Sequence, residues 1–236
     1  MASSRTSSSR LALLLFTFAA TSGCAVQPAR PQLLFADDFA NLDNWMVEAE
    51  QPAQVAVHDG TLDIDTPAGF TLWFKPALAG PVAIEFVATA VAAGGPNDQV
   101  SDLNVFWMAT NPDGSSPLSR PRDGKFASYN DLKTYYVGLG GNRNTTTRFR
   151  RYIGDPEVRP LLREHDLTGR DTLLVANLPQ RVTLLANGQH IEYRRNDRAV
   201  FSYEDAQPYA HGWFALRTTW SHLRFQNLRI YRLPEK

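Results

Sequence analysis

Two arginines that lie two residues apart are the first sign of chemistry in this sequence. Arg148 and Arg150 flank Phe149, so in an extended strand both guanidinium groups point to the same face. A guanidinium group binds a carboxylate through two parallel hydrogen bonds. Twenty of the 24 basic residues are arginine, so an ordinary surface role competes with ligand contact at both positions.

The same alternation divides five further runs into an aliphatic face and a face that mixes aromatic with polar side chains. A face that only meets water carries few aromatic rings, since these leave apolar area exposed. Rings stack on the apolar faces of sugars, and charged groups bind hydroxyls and carboxylates. We therefore predict a saccharide groove on the open face of a sheet. Its predicted substrate-binding residues are Trp73, Glu85, Asp102, Trp213 and Arg217.

β-Elimination on a uronate-containing polysaccharide or oligosaccharide fits these residue types best. The proton beside the carboxylate becomes acidic only when the carboxylate charge is neutralised, and a tyrosine or histidine then moves that proton. Arginine and asparagine supply the neutralisation. The predicted catalytic residues of this polysaccharide lyase are Tyr136, Arg148, Arg150, Asn104, His211 and His222.

Three other functions remain open at this point. The first is a lipoprotein that binds carbohydrate without catalysis, and the second is a glycoside hydrolase that uses Glu85 and Asp102. A hydrolase needs its two carboxyl groups about 5–5.5 Å apart for retention or about 6.5–9.5 Å apart for inversion. The third is a structural envelope protein, which requires another chain to cover the aromatic face.

The elements that must position these residues are short β-rich runs separated by Gly, Pro, Asn and Asp. They show no sustained helical period, which predicts an all-β sandwich or barrel. Asp59-Gly60 and Asn187-Gly188 predict tight hairpin turns, the second of type I′. The segment Asn111–Asp131 is predicted to be an excursion within one domain. The runs are Gln54–Val57, Leu62–Asp65, Phe70–Lys75, Val82–Val91, Asp102–Thr110, Thr134–Leu139, Thr146–Tyr152, Thr172–Val175, Arg181–Ala186, His190–Arg194, Val200–Tyr203, Gly212–Thr218 and His222–Arg232.

The first residues have the three-part pattern of a secretory signal: two arginines, an apolar run and small residues before Cys24. We predict a lipoprotein signal at 1–23 with lipidation of Cys24, a tether at 24–32 and one domain at 33–236. The protein is then periplasmic or an outer-membrane or cell-surface lipoprotein, or else it is secreted. Membrane contact is expected only through the lipid anchor.

Composition excludes several other classes of protein. The sequence has 24 basic and 24 acidic residues and one cysteine among 236 residues. Balanced charge argues against a nucleic-acid partner, and a single cysteine excludes an intrachain disulfide framework or a thiolate zinc cluster. No cofactor is required by the predicted chemistry. Peripheral calcium at Asp37, Asp38 and Asp43 is an alternative to turn formation there.

Several longer motifs resemble the YesU-type families. They are Phe35–Phe39 with Trp45 and Glu48, Asn97–Ala109, Tyr135–Asn142, Asn144–Tyr152 and Arg217–Leu223. The resemblance covers about residues 33–233. It implies a concanavalin A-like jelly roll, which is a sandwich of two antiparallel sheets with a concave ligand face. It also implies a context of polysaccharide degradation.

Overall fold

The structure is a computed structural model that describes Met1, residues 30–158 and residues 162–234. Cys24 and residues 2–23 of the predicted signal lie outside the described residues, as does most of the predicted tether. Gln32, which the sequence assigns to the tether, is the first residue of a strand. Among the described residues, no helix is long and apolar enough to cross a bilayer.

The described chain consists of strands joined by tight turns and a few longer loops. The strands are β1 (Gln32–Asp37), β2 (Trp45–Ala49), β3 (Gln54–His58), β4 (Thr61–Phe74), β5 (Leu78–Ala79), β6 (Val82–Ala90), β7 (Leu103–Thr110), β8 (Lys133–Gly140), β9 (Thr146–Ile153), β10 (Asp166–Leu167), β11 (Gln180–Asn187), β12 (His190–Arg195), β13 (Arg198–Glu204) and β14 (His211–Arg232). Short helical turns occur at Pro117–Ser119, Phe126–Tyr129, Gly141–Asn144, Arg163–His165 and Arg170–Thr172.

The strands form two packed antiparallel layers, which we call the front sheet and the back sheet. The front sheet contains β2, residues 69–74 of β4, residues 211–219 of β14, β7, β8, β9 and β10. The back sheet contains β1, β3, the first part of β4, residues 221–232 of β14, β6, β11, β12 and β13. This arrangement confirms the predicted jelly-roll sandwich.

Two long strands, β4 and β14, run through both layers and bend between them. Their pairing shifts register between Thr219 and Ser221, and Trp220 has a left-handed φ of 44°. A bulge of this kind sharpens strand twist and allows a strand to turn a corner. The sequence predicts a break within each of these two strands, because each bend interrupts the alternation of apolar and polar side chains.

The core between the sheets is formed by the predicted aliphatic faces. Buried apolar side chains of the two sheets meet across the sandwich. The front sheet contributes Phe70, Leu72, Val105, Val137 and Leu216, and the back sheet contributes Ile84, Phe86, Val182, Leu184 and Phe225. One part of the predicted phasing is wrong. Met108 has a φ of 53° and points into this core, whereas Ala109 packs on the outer side of the front sheet. A bulge in β7 therefore exchanges the faces of these two residues.

Local turn chemistry also departs from the sequence prediction in one hairpin. Asp59 and Gly60 both have positive φ between paired His58 and Thr61, as a type I′ turn requires. In the second hairpin Asn187 still pairs with His190, so the turn is Gly188–Gln189. Only Gly188 has positive φ there, and the predicted type I′ turn is wrong. The predicted strand Thr172–Val175 is wrong, because Thr172 ends a short helical turn and residues 173–175 form a loop.

Candidate functional site

A loop of the protein covers part of the outer face of the front sheet. This covering loop, residues 111–131, joins β7 to β8. Its Tyr129 stacks on Phe106, with ring centroids 5.6 Å apart, and lies 6.4 Å from Trp73. Trp73 is on the predicted face but is fully buried beneath the loop. Its predicted role as an exposed sugar platform is therefore wrong.

The covering loop is attached to the sheet by a buried carboxylate. Glu48 on β2 accepts hydrogen bonds from Trp73 Nε1 (2.8 Å), the Tyr129 hydroxyl (2.7 Å) and the Arg122 backbone N–H (2.8 Å). The Arg122 side chain then donates to Ser128 O, Asn111 Oδ1 and Asp131 Oδ1. Buried polar groups paired in this way hold the loop in one conformation.

Arg217 is also hidden by the covering loop. Its side chain is 1% exposed, and its guanidinium lies over the rings of Tyr129 (4.7 Å) and Phe126 (5.1 Å). It donates to Thr71 Oγ1 and to Gly124 O. Burial lowers the pKa of Arg217 from its usual value. The prediction of Arg217 as a residue in direct contact with substrate is wrong, because the loop separates it from solvent.

The part of this face that the loop leaves uncovered is a pocket of about 600 Å³. That volume lies within the range of about 300–1,000 Å³ that is typical of small-ligand sites. Side chains from β7, β8, β9 and the bend of β14 meet there. The pocket is lined by Gln99, Ser101, Asp102, Asn104, Phe126, Tyr136, Gly138, Gly141, Asn142, Arg143, Thr146, Arg148, Arg150, Tyr152, Arg163, Thr219 and Trp220.

Strand pairing brings five of the predicted site residues together. Tyr136 lies opposite Arg150 and Gly138 lies opposite Arg148 in the β8–β9 ladder. Asn104 lies opposite Gly138 in the β7–β8 ladder, and Asp102 directly precedes β7. The predicted phasing of these residues is confirmed, because all five side chains line one pocket.

Tyr136 lines the pocket from β8. Its ring contacts Phe106 (5.3 Å), Phe126 (5.5 Å) and Tyr152 (5.8 Å), and its side chain is 8% exposed. A Cβ atom on Gly138 would lie 2.5 Å from its hydroxyl, so the ring needs glycine at that position. Burial, together with the nearby Tyr152 and Asp102, raises the pKa of Tyr136 well above its usual value.

Asp102 is held in an unusual conformation at the pocket wall. Its φ is 57°, a region that aspartate tolerates better than most residues. It accepts a hydrogen bond of 3.2 Å from Asn104 Nδ2. Burial raises its pKa, although the hydrogen bonds from Asn104 and Ser101 oppose this. The Asn104 Oδ1 atom is buried and accepts no hydrogen bond from any described residue.

The two predicted arginines are anchored by one acid on the short edge strand β10. Asp166 pairs with Arg150 Nη2, and it lies 3.8 Å from Arg148 Nε. Arg150 also donates to Leu162 O at 3.1 Å. Arg143 and Arg163 add two exposed guanidinium groups to the pocket lining. Of the described lining residues, Asp102 alone carries a carboxylate, so the pocket is cationic.

The other predicted site residues lie outside the pocket. Glu85 is on β6 of the back sheet and lines a separate groove with Arg194 and Tyr231. Its predicted place on the same ligand face as Asp102 is wrong. The alternation of side chains predicts which side of a strand a residue lies on, but it does not predict to which sheet that strand belongs. Trp213 donates its indole N–H to Lys75 O and packs against the buried rings beneath the covering loop, which include Trp73 and Phe106.

Neither predicted histidine lines the pocket. His211 is exposed at the start of β14, where it pairs with β5. His222 follows the bend and bridges Asp63 (2.8 Å) and Asp98 (2.9 Å). It holds the loop before β7, and its predicted role as a catalytic base is wrong because its ring nitrogens face those two carboxylates.

Sequence reasoning missed part of the pocket lining. Trp220 and Phe126 are 39% and 38% exposed and form two aromatic walls, while Tyr152, Arg143 and Arg163 complete the lining. Trp220 falls in the break between two predicted strands, where parity carries no information. Phe126 comes from the covering loop, where no strand alternation distinguishes it in sequence.

No cluster of three metal-ligating side chains occurs among the described residues. Asp37 accepts hydrogen bonds from Phe39 N (2.7 Å) and Trp45 Nε1 (2.9 Å), and Asp38 pairs with Arg229. These contacts stabilise the turn after β1. A peripheral calcium ion there stays a prediction.

Solved structures with the same architecture show that the class of fold is a concanavalin A-like jelly roll. A Bacillus subtilis protein of unknown function with a galectin-like fold shares 13% identity with a TM-score of 0.65, covering 87% of this chain and 98% of that chain. The carbohydrate-binding module CBM66 from Bacillus subtilis gives 12% and 0.55, covering 81% and 97%. A β-glucanase from Bacillus licheniformis gives 11% and 0.55, covering 88% and 100%.

Within that class, residues 64–228 match the family model described as a domain of unknown function, DUF6250. The match spans more than half of the chain, and the protein belongs to the DUF6250 family. No curated protein matches the chain in sequence. The narrower resemblance to YesU-type families is not confirmed and stays a prediction.

Proposed function

We propose that the protein is carbohydrate-active and that its pocket binds an acidic, uronate-containing saccharide and cleaves it by β-elimination. The observation that carries this proposal is the cationic pocket, in which four arginines and two exposed aromatic side chains, Phe126 and Trp220, surround a single carboxylate. Aromatic rings suit the apolar faces of sugars, and guanidinium groups suit carboxylates. Carbohydrate-binding and glucan-cleaving proteins among the similar folds support the general class.

In the proposed complex, Arg148, Arg150 and Asn104 neutralise the uronate carboxylate. Asn104 Nδ2 and the guanidinium groups donate hydrogen bonds that strengthen as negative charge develops on the carboxylate. Arg150 is held in place by Asp166 and Leu162 O, so little reorganisation is needed when the substrate binds.

In the proposed reaction, Asp102 and Tyr136 divide the proton transfers between them. A carboxyl group whose pKa is raised by burial, such as Asp102, is a better base than an ordinary surface carboxylate. A phenol whose pKa is raised, such as Tyr136, stays protonated and acts as an acid. Asp102 takes the proton beside the carboxylate, the electron pair forms the double bond, and Tyr136 protonates the leaving oxygen. This assignment replaces the predicted tyrosine or histidine base.

Enzymatic elimination is tested by incubating the protein with pectic, rhamnogalacturonan, ulvan-type and glucuronan substrates. The unsaturated product absorbs ultraviolet light, and we expect that absorbance to rise with one of these substrates. Asp102→Asn is expected to bind the same saccharide and give no product. Arg148→Ala is expected to lose binding, while Arg181→Ala, which changes an exposed arginine of the back sheet, leaves both unchanged.

A carbohydrate-binding protein without catalysis is the second candidate. One observation favours it: Asp102 is the sole carboxylate among the described lining residues, and binding needs no carboxylate at all. This candidate would be established if wild type and Asp102→Asn bind the saccharide with equal affinity and neither gives a rise in absorbance. The hydrolase built on Glu85 and Asp102 is not proposed, since those side chains belong to different sheets.

The proposal requires no metal, because arginine and asparagine neutralise the carboxylate. Activity is therefore expected to survive treatment with a chelator, whereas calcium-dependent loss would contradict this part. We also propose export and lipid anchoring through Cys24, which rest on the sequence pattern of the first residues.

A further inference from the structure

We propose that the pocket receives the end of an acidic saccharide chain and does not bind a segment within the chain. This inference rests on the proposed function, because it concerns the same site. It follows from the covering loop, which converts a concave sheet face into a pocket enclosed on several sides.

A polymer can cross a jelly-roll sheet only where a continuous trough is free. Here the trough is interrupted at Phe126, which packs against Tyr136 at 5.5 Å. Beyond Phe126, the side chains that would line a continued trough are covered. Trp73, Phe106 and Arg217 are each at most 1% exposed. A saccharide lying over Tyr136 therefore meets the loop in that direction.

The covering loop packs closely against the sheet. Gly124 has a φ of 80°, and a Cβ atom there would lie 2.3 Å from the Glu50 backbone nitrogen. Conversely, a Cβ atom on Gly69 would lie 2.3 Å from Gly124 O. Two glycines in contact let the backbones approach, and Arg217 Nη1 donates to Gly124 O at that point. The loop is thus an integral wall.

The opposite end of the pocket is bounded by the β8–β9 turn. Asn142, Arg143 and Asn144 have φ values of 53°, 58° and 59°. Such conformations are costly and persist where surrounding contacts enforce them. Asn144 Oδ1 accepts from Leu174 N and its Nδ2 donates to Leu174 O, both at 2.9 Å. This anchored turn places Asn142 and Arg143 in the pocket lining.

The two remaining sides are also occupied. Trp220, fixed at the bend of β14, donates its indole N–H to Pro96 O at 3.3 Å and lines one side. Arg163, which follows β9, lines the other. A ligand surrounded in this way enters from solvent with its terminal sugar first. The charged lining then selects a terminal sugar that carries a carboxylate.

The inference is tested by measuring binding of uronate oligosaccharides of defined length to the wild-type protein by calorimetry. If chain ends are bound, the affinity per molecule stays constant beyond the shortest tight-binding oligomer, and a polymer binds one protein per receptive end. Active protein is expected to release one small unsaturated product from the start of the reaction. Affinity that rises steadily with length, or products of mixed length at early times, would overturn the inference while leaving the proposed function intact.

Matched glycine variants test the role of the loop. Gly124→Ala is expected to lift the loop from the sheet, so that longer chains bind more tightly than short ones. Gly114→Ala is the control, because Gly114 has a similar φ of 83° but no atom within 4 Å of the added Cβ; its binding profile should match wild type. If Gly124→Ala does not fold, Phe126→Ala removes the wall side chain instead.

Unchanged length dependence in a folded loop variant would contradict the role of the wall. Absence of any uronate binding by the wild type would instead refute the proposed function itself.

Discussion

Tyr136 and Gly138 depend on each other because they are two residues apart on one face of β8. The phenol hydroxyl occupies the space that a side chain at position 138 would fill. A glycine in a strand interior weakens the strand, so its presence in β8 is explained by the ring that lies over it.

Gly138→Ala is expected to displace the Tyr136 ring and to reduce turnover roughly 10–100-fold, because misplacing a catalytic group by about 1 Å costs that much. The measurement is the rate of product formation alongside a thermal melt. Gly141→Ala is the matched control in the same pocket, since its Cβ would have no neighbour closer than 3.5 Å. Equal rates in the two variants would mean that the position of Tyr136 is unimportant for turnover.

Asp102 makes stability depend on pH in a direction that can be measured. Its pKa is raised in the folded protein by burial, so the folded state holds this proton more tightly than the unfolded state. The resulting stabilisation is present below the unfolded pKa of about 3.9 and is lost as the pH rises through the folded pKa. Asp102 therefore destabilises the fold at neutral pH.

Asp102→Asn is accordingly expected to raise the melting temperature near neutral pH, with the difference from wild type shrinking in acid. Asparagine also tolerates positive φ, so the backbone is not a confounding factor. Asp113→Asn is the control and is expected to lower the melting temperature near neutral pH, because hydrogen bonds from Ser115 lower the pKa of the exposed Asp113. A neutral-pH melting temperature for Asp102→Asn at or below that of wild type would contradict the argument.

Strand parity predicts the faces of Tyr136, Arg148 and Arg150 because side chains alternate strictly in a regular strand. It cannot predict that Glu85 belongs to the other sheet, since that depends on long-range pairing. It fails at Met108, where a left-handed residue shifts the alternation. It also gives the correct face for Trp73 while missing the loop that covers it.

At the scale of elements, the covering loop decides which part of the front sheet can bind a ligand. A sequence rich in Pro, Gly, Ser and Arg predicts an irregular segment but not where it docks. The docking site is set by Glu48, one carboxylate on β2 that satisfies donors from Trp73, Tyr129 and Arg122. Such partners are distant in sequence, so no local pattern reveals them.

Glu48→Ala is expected to destabilise the protein by about 2–5 kcal/mol, because it leaves three buried donors unpaired. For a chain of this size, that loss lowers the melting temperature by roughly 5–15 °C. Chemical denaturation and thermal melts measure both quantities. Glu50→Ala is the control; Glu50 is exposed and accepts one bond of 3.2 Å from Gly69 N, and we expect a loss of less than about 1 kcal/mol.

For the whole molecule, overall neutrality hides an uneven distribution of charge. The chain has equal numbers of acidic and basic residues, yet four arginines and one acid line the pocket. The class of fold could be predicted from the sequence, because short runs and turn residues recur along the whole domain. The sequence predicts a break near Trp220 but not that β14 continues through it into the other sheet, since that depends on its long-range pairing with β7 on one side and β6 on the other.

Cys24→Ser is the test of the predicted anchor. If Cys24 is lipidated, the wild-type protein made in a bacterial host partitions with membranes, and the variant moves to the soluble exported fraction. Ser22→Ala, which changes a small residue for another small residue, is the control and should behave as wild type. Identical partitioning of the Cys24→Ser variant and wild type would contradict lipid anchoring.

The pairing of β1 with the end of β14 has a consequence for how the domain is presented. Gln32 pairs with Arg232, so residues 32 and 232 leave the fold side by side from the back sheet, while the pocket opens on the front sheet. A tether before residue 32 would therefore be attached through the sheet that does not carry the pocket. The attachment would leave the pocket opening free to receive a saccharide from solution.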